Sequence, residues 1–148
     1  MLYKVALTLV SALVVFMLYK NNTTPSYLGL HDSKLAPMPS TPNAVSSQTD
    51  DSEKYVDPLS FESTEDAKKK VKRVLAQLSS NVVLTETDNY LHVIFTTDTM
   101  RYKDDVELYF DQDQNLIHYR SQSRVGYSDK GLNRARYNKF AKLYNELN

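Results

Sequence analysis

Residues 5 to 19, VALTLVSALVVFMLY, carry no charge and are bounded by Lys4 and Lys20. The run has no polar face, so as a helix it does not complete the amphipathic wall of a soluble core. Fifteen helical residues reach about 22 Å against a hydrocarbon core of about 30 Å; adding Met1 to Tyr3 and letting the flanking lysines snorkel closes the gap. A single short membrane span over residues 1–20 is therefore the expectation. A signal peptide has a similar apolar stretch after a basic start, but here the run is followed by KNNTTP, without a small-residue cleavage pattern and without a cysteine to carry a lipid. An uncleaved anchor is the leading reading and a cleaved, secreted chain the alternative. Lys4 and the amino terminus against Lys20 alone give a positive-inside bias toward a cytoplasmic N-terminus, with the rest in the periplasm or extracellular space.

Beyond the span, residues 21–54 hold four of the five prolines and the stretch STPNAVSSQTDDSEK, which reads as extended chain partly packed on the domain downstream of it. The α+β domain is expected over residues 55–148. In STEDAKKKVKRVLAQLSS, Ser63 and Asp66 are spaced as a capping box, followed by a stripe of Ala67, Val71, Val74, Leu75 and Leu78. Two hairpins come next: NVVLTET with YLHVIFTT across Asp88-Asn89, then RYKDDVELYF with LIHYRSQS across residues 111–115. Opposing Val106 to Arg120 and Leu108 to His118 leaves one apolar face. Asp105, Glu107, Tyr109, Tyr119 and Ser121 then lie on the other. A last helix is expected from about Lys130 to Leu147, capped by Ser128 or Asp129, with Tyr137, Phe140, Ala141, Tyr144 and Leu147 on one stripe. The fold class is α+β: an antiparallel sheet of about four strands with both helices on one face.

Overall charge is balanced, 18 basic against 18 acidic residues, which argues against a general nucleic-acid binder. The distribution is uneven. Residues 84–113 hold eight acids against Arg101 and Lys103, whereas residues 120–142 hold seven bases against Asp129 alone. The basic block RSQSRVGYSDKGLNRARY combines Arg120, Ser121, Ser123, Arg124, Asp129, Asn133, Arg134 and Arg136 with two glycines. At about 100° per residue, Asn133 begins the buried stripe of the last helix and Arg134 and Arg136 flank it. Hydroxyls, guanidinium groups and free N–H groups at a helix start can bind an anion such as a phosphate, a lipid head group or a partner carboxylate. The same arginines can equally close a charge network with Asp104, Asp105 and Glu107 on the neighbouring strand.

The segments LGLHDSKLAPMPSTPNAVSSQ, YVDPLSF, DDVELYF and IHYRSQSRVGYSDKGLNRARY together resemble the domain of unknown function family numbered 1499, small proteins of bacteria and plastids, over about residues 28–148. The resemblance implies that the Pro-rich segment belongs to the domain and that a membrane-associated or exported location is common. It assigns no activity. Members commonly carry two cysteines at the positions of Met38 and Ala44; this chain has neither, so a redox or metal role resting on them does not operate here. If the family shares one function, those cysteines are a structural staple, and Asn43, Ser46, Ser47 and Gln48 become the polar residues of interest. Their other reading is turn and backbone hydrogen bonding around Pro42.

No metal or other cofactor is expected, because His31, His92 and His118 form no ligand spacing. Catalytic residues are not assigned either. The nearest nucleophile arrangement, Ser123 with His118 and Asp105 or Asp129, lacks a G-x-S-x-G elbow, and Asp104 and Asp105 point to opposite faces of a strand. The sequence thus favours a non-enzymatic, membrane-anchored domain that binds an acidic ligand or protein partner, or serves as an accessory subunit of an envelope complex. A small hydrolase or transferase acting on an anionic envelope substrate is the alternative.

Overall fold

The computed structural model describes residues 2–147; Met1 and Asn148, at the ends of the first and last expected segments, lie outside the described residues. Helix α1 (Leu2–Asn22) contains a 20-residue stretch, Tyr3–Asn22, long and apolar enough to cross a membrane; up to Lys20 none of it is buried by the rest of the chain, whereas Asn21 is. It is compatible with a single-pass anchor or a signal sequence. Next in the chain are strands β1 (Ala44–Ser46) and β2 (Leu59–Ser60), helix α2 (Thr64–Gln77), strands β3 (Asn81–Glu86), β4 (Tyr90–Thr96), β5 (Lys103–Asp111) and β6 (Leu116–Ser123), and helix α3 (Leu132–Glu146). The class is α+β, as expected.

The strands form one antiparallel sheet in the order β1-β6-β5-β4-β3, with β2 also paired to β6. It has six strands where about four were expected. The two additional strands are too short, and too rich in serine, to show an alternating pattern. They share the outer edge of β6, Ala44–Ser46 against residues 120–122 and Leu59–Ser60 against residues 116–117, and so blunt an otherwise open edge.

Helix α2 starts where the capping pattern placed it, with the Ser63 hydroxyl accepting the Asp66 N–H. Its stripe of Ala67, Val71, Val74 and Leu75 packs with Tyr137, Phe140 and Tyr144 of α3. Both helices lie on the sheet face that presents Leu91, Val93, Phe95, Val106, Leu108, Phe110, Ile117 and Tyr119. Helix α3 begins later than expected, at Leu132, and Gly131 rather than Ser128 or Asp129 occupies its cap position, in the left-handed region (φ 80°) that glycine adopts without strain. Asp129 still serves the helix start from two residues upstream: its carboxylate accepts the N–H groups of Gly131 and Asn133.

The register of the β5–β6 hairpin differs from the expectation by one residue. Val106 opposes Ser121, Leu108 opposes Tyr119, Glu107 opposes Arg120 and Tyr109 opposes His118. Residues 112–115 make a loop in which Asp111 accepts the N–H groups of Asp113 and Gln114, and Asn115 turns the chain at φ 55°. A one-residue slip moves every side chain to the other face. Tyr119 and Ser121 accordingly belong to the helix side, and Arg120 joins Asp105, Glu107 and Tyr109 on the opposite side.

Phe140 is nearly solvent-free, with its ring centroid 5.7 Å from Tyr119 and 6.4 Å from Tyr144. Phe140→Ala is expected to lower stability by about 3–5 kcal/mol in urea unfolding, because α3 cannot collapse onto the space left beneath it.

Candidate functional site

Strand β5 carries three fully buried carboxylates, Asp104, Asp105 and Glu107, on a two-residue alternation that sends Asp104 to the helix side and the other two to the opposite face. Buried carboxylates need charge and hydrogen-bond partners where they stand. The basic segment supplies them. Arg120, almost directly across the ladder, gives Nη1 to Glu107 at 3.0 Å and Nε to the carbonyl of Ala36 at 2.9 Å, with Nη2 on Gln122. The Tyr27 ring lies over its guanidinium at 4.9 Å. The second Glu107 oxygen accepts the Tyr90 hydroxyl at 2.7 Å and the Gly29 N–H at 2.8 Å.

Arg124 grips Asp105 with two parallel hydrogen bonds, Nε to Oδ2 at 2.8 Å and Nη2 to Oδ1 at 2.7 Å, and His92 Nε2 lies 2.8 Å from the same Oδ1. Burial alone would raise the Asp105 carboxyl, but the hydrogen bonds and charges of Arg124 and His92 outweigh it and hold it below the usual carboxylate range. The remaining Arg124 nitrogen, Nη1, reaches the carbonyl of Asn21 at 3.3 Å, which belongs to the last turn of α1. Asn21 is itself buried. Its side chain donates to the Arg101 carbonyl at 2.9 Å and accepts the Lys103 N–H at 2.8 Å, so one amide clamps the backbone where β5 begins.

On the helix side Arg136 pairs with Asp104 at 2.5 Å and donates to Asn133 Oδ1 at 2.6 Å, with its guanidinium 4.7 Å from the Phe95 ring. Asn133 accepts the Ser121 hydroxyl and donates to Ser123 Oγ and to the Asn43 carbonyl, tying α3 to β6 and β1. Arg134 donates to the carbonyls of Tyr55 and Glu53 at the surface. The residues singled out in the sequence therefore fall into separate places. Ser121, Ser123, Asn133 and Arg136 come together on the helix side, Arg120 and Arg124 stand on the opposite face, Asp129 serves the start of α3, and Arg134 holds the 53–55 loop. Among the described residues the Tyr119 hydroxyl is the one buried side-chain polar atom without a partner, so the charge network itself is closed.

The polar loop is engaged with the backbone around it. Asn43 donates to the Gly126 carbonyl at 2.8 Å, Ser46 Oγ accepts the Gln48 N–H at 3.0 Å, and Gln48 accepts the Leu35 N–H at 2.9 Å. Ser47 Oγ accepts the Tyr119 N–H and lies 3.2 Å from His118 Nδ1. Ser123 and His118, the residues of the hydrolase alternative, occupy opposite faces of β6, since strand side chains alternate and one residue is odd-numbered, the other even. His118 is instead sandwiched by Ser47 and the stacked Tyr109 ring, with Asp111 3.8 Å away, beyond hydrogen-bond reach. Sequence reasoning missed Asn21, Tyr27, Gly29 and Tyr90, whose partners lie 17 to 103 residues away in the chain. An asparagine at the end of an apolar span was the available signal.

Two measurements probe this network. Arg120→Met leaves Glu107 buried without its cation and is expected to cost about 3–5 kcal/mol, with part recovered by adding Glu107→Gln; Arg134→Gln at the surface should cost about 1 kcal/mol or less. Burial pushes the His118 imidazole below its ordinary value despite the opposing charge of Asp111. The unfolded chain therefore takes up that proton first, so stability is full above about pH 6.5 and falls as the pH drops below it; the Asp105 contribution is lost only below about pH 4. His118→Gln is expected to flatten the upper part of the stability–pH curve and leave the lower fall in place.

Comparison with curated proteins and with solved structures gives no match. A family model described as protein of unknown function (DUF1499) matches residues 34–143, which take in the sheet, α2, nearly all of α3 and every arginine of the network. The arginine-bearing domain is therefore that family's domain, and this chain is a member of the DUF1499 family.

Proposed function

We propose that the protein is an uncleaved, single-pass membrane protein whose domain stands outside the cytoplasm and works without catalysis, holding an acidic ligand or protein partner beside the bilayer as an accessory component of an envelope complex. The observation that carries this reading is the Asn21 clamp. A signal peptide is discarded after export, so its end has no reason to be built into the domain that remains. Here the last turn of α1 supplies a buried amide to the start of β5 and a carbonyl to Arg124, which also holds Asp105. The carbonyl end of a helix carries partial negative charge, so a guanidinium at that position stabilises it. The last turn of the apolar helix is thus tied to the domain by hydrogen bonds at Asn21 and Asn22.

The internal use of the arginines favours a binding role over chemistry. Arg120, Arg124 and Arg136 are matched by Glu107, Asp105 and Asp104, which leaves recognition to the outer groups of the same basic block, Lys130 and Arg134, the latter already donating to the carbonyls of Tyr55 and Glu53. Orientation follows the lysine bias around the span.

The test is made on the full chain extracted from membranes in mild detergent. The isolated protein is expected to retain residues 1–20 and to carry a partner with it; a mature N-terminus beyond residue 24, or a chain released by alkaline wash, overturns the anchored reading. Asn21→Ala is expected to leave membrane retention intact while lowering domain stability by about 1–3 kcal/mol, since the N–H of Lys103 loses its acceptor.

A further inference from the structure

We propose that the β4–β5 hairpin tip, residues 97–102, lies on the bilayer surface, with Met100 seated at the boundary of the acyl chains and Arg101 and Lys103 against the phosphates of anionic lipids. This rests on the anchored reading and adds to it a lipid-facing surface on the domain itself.

Depth is the first support. A 20-residue helical span is about 30 Å long, the thickness of the hydrocarbon core, which puts Asn21 and Asn22 at the lipid–water boundary. Groups hydrogen-bonded to a boundary residue share its depth. Asn21 bonds the Arg101 carbonyl and the Lys103 N–H, at 2.9 and 2.8 Å, and Asn22 Oδ1 accepts from Lys103 Nζ at 2.9 Å. Because two of these three bonds are to backbone on either side of Tyr102, the hairpin cannot swing away from the anchor without unpairing a buried amide.

The chemistry of the tip is the second support. Met100 is 61% exposed, and near the end of α1 Tyr19 is 67% exposed. A thioether and a phenol ring in those positions suit the interfacial layer better than bulk water. Basic residues gather at the clamp: Lys20 directly precedes Asn21, and Arg101 and Lys103 are the residues Asn21 binds. Arg101 takes a left-handed backbone (φ 55°) in the turn, and its side chain is exposed. The one acid of the tip, Asp98, accepts the Ser80 hydroxyl at 3.1 Å. Basic groups beside an insertable side chain are what an anionic leaflet attracts. At the far end of nine-residue β5, about 30 Å away at 3.3 Å per residue, the loop of residues 112–115 serves as a built-in reference.

The chain has no cysteine, so single labels can be placed without background. Nitroxide is attached in turn to Phe16→Cys, Met100→Cys and Gln112→Cys in the full chain, reconstituted in phosphatidylcholine vesicles with about one-third phosphatidylglycerol. Collision with oxygen is compared with collision with a water-soluble nickel chelate. The expected result is a Phe16 label in hydrocarbon, a Gln112 label in water, and an oxygen preference at position 100 several-fold above that at position 112. Adding Arg101→Glu should move the position-100 label toward water. A position-100 label as aqueous as position 112, with Phe16 still in hydrocarbon, overturns the surface contact and leaves the anchor standing. An aqueous Phe16 label overturns both.

Discussion

Arg124 joins three parts of the protein that are far apart in the chain: the carboxylate of Asp105 on a central strand, the His92 that shares it, and the Asn21 carbonyl in the last turn of the apolar helix. A carboxylate on a central strand has no route to water, and an unpaired charge there would be ruinous for folding. The sheet therefore depends on guanidinium groups arriving from β6 and from the turn after it. Each arrives in a place dictated by the pleat. Alternation puts Asp105 and Glu107 on one face, and the ladder brings Arg120 opposite Glu107. Arg124, one residue past the strand, folds back over Asp105.

That arrangement explains why the proline-rich segment is integral to the structure. The face carrying Glu107 and Arg120 would be wet and charge-exposed if left bare. Residues 27–37 close it: Gly29 donates to Glu107, Tyr27 covers Arg120, Ala36 accepts from it, and Leu30 and Leu35 pack with Tyr90 and Tyr109. Further along, residues 43–48 fasten to β6 through β1 and Ser47, to the turn after it through Asn43, and back to Leu35 through Gln48. Ala44 is buried in β1, held there by ladder hydrogen bonds and by the Asn133 bridge from α3 to Asn43.

Some elements were legible because their signals are local. Helix α2 announced itself through Ser63, Asp66 and a stripe at helical spacing, and α3 through Tyr137, Phe140 and Tyr144. The opposed charges of residues 84–113 and 120–142 already suggested that β5 acids and downstream arginines meet. The pairing itself was not legible. A hairpin with four loop residues reads, one residue out, as a hairpin that buries Arg120 against the helices and exposes Tyr119, and composition alone does not choose between the two. Nor did any pattern mark β1 and β2, since two or three residues carry no periodicity. The separation of Ser123 from His118 is likewise a property of the ladder.

By itself, the sequence determined the apolar span, the α+β class, the two amphipathic helices and the segregation of acids from arginines, because each is set by composition or by spacing within a single element. Only the tertiary structure decided which arginine meets which carboxylate, and that the end of the apolar helix is hydrogen-bonded into the domain. The first rests on side chains brought together from 13 to 32 residues apart, the second on side-chain contacts to backbone 80 or more residues away, such as Asn21 with Arg101. A one-residue change in the β5–β6 register redistributes the arginine pairings, and no local property of the chain records that register.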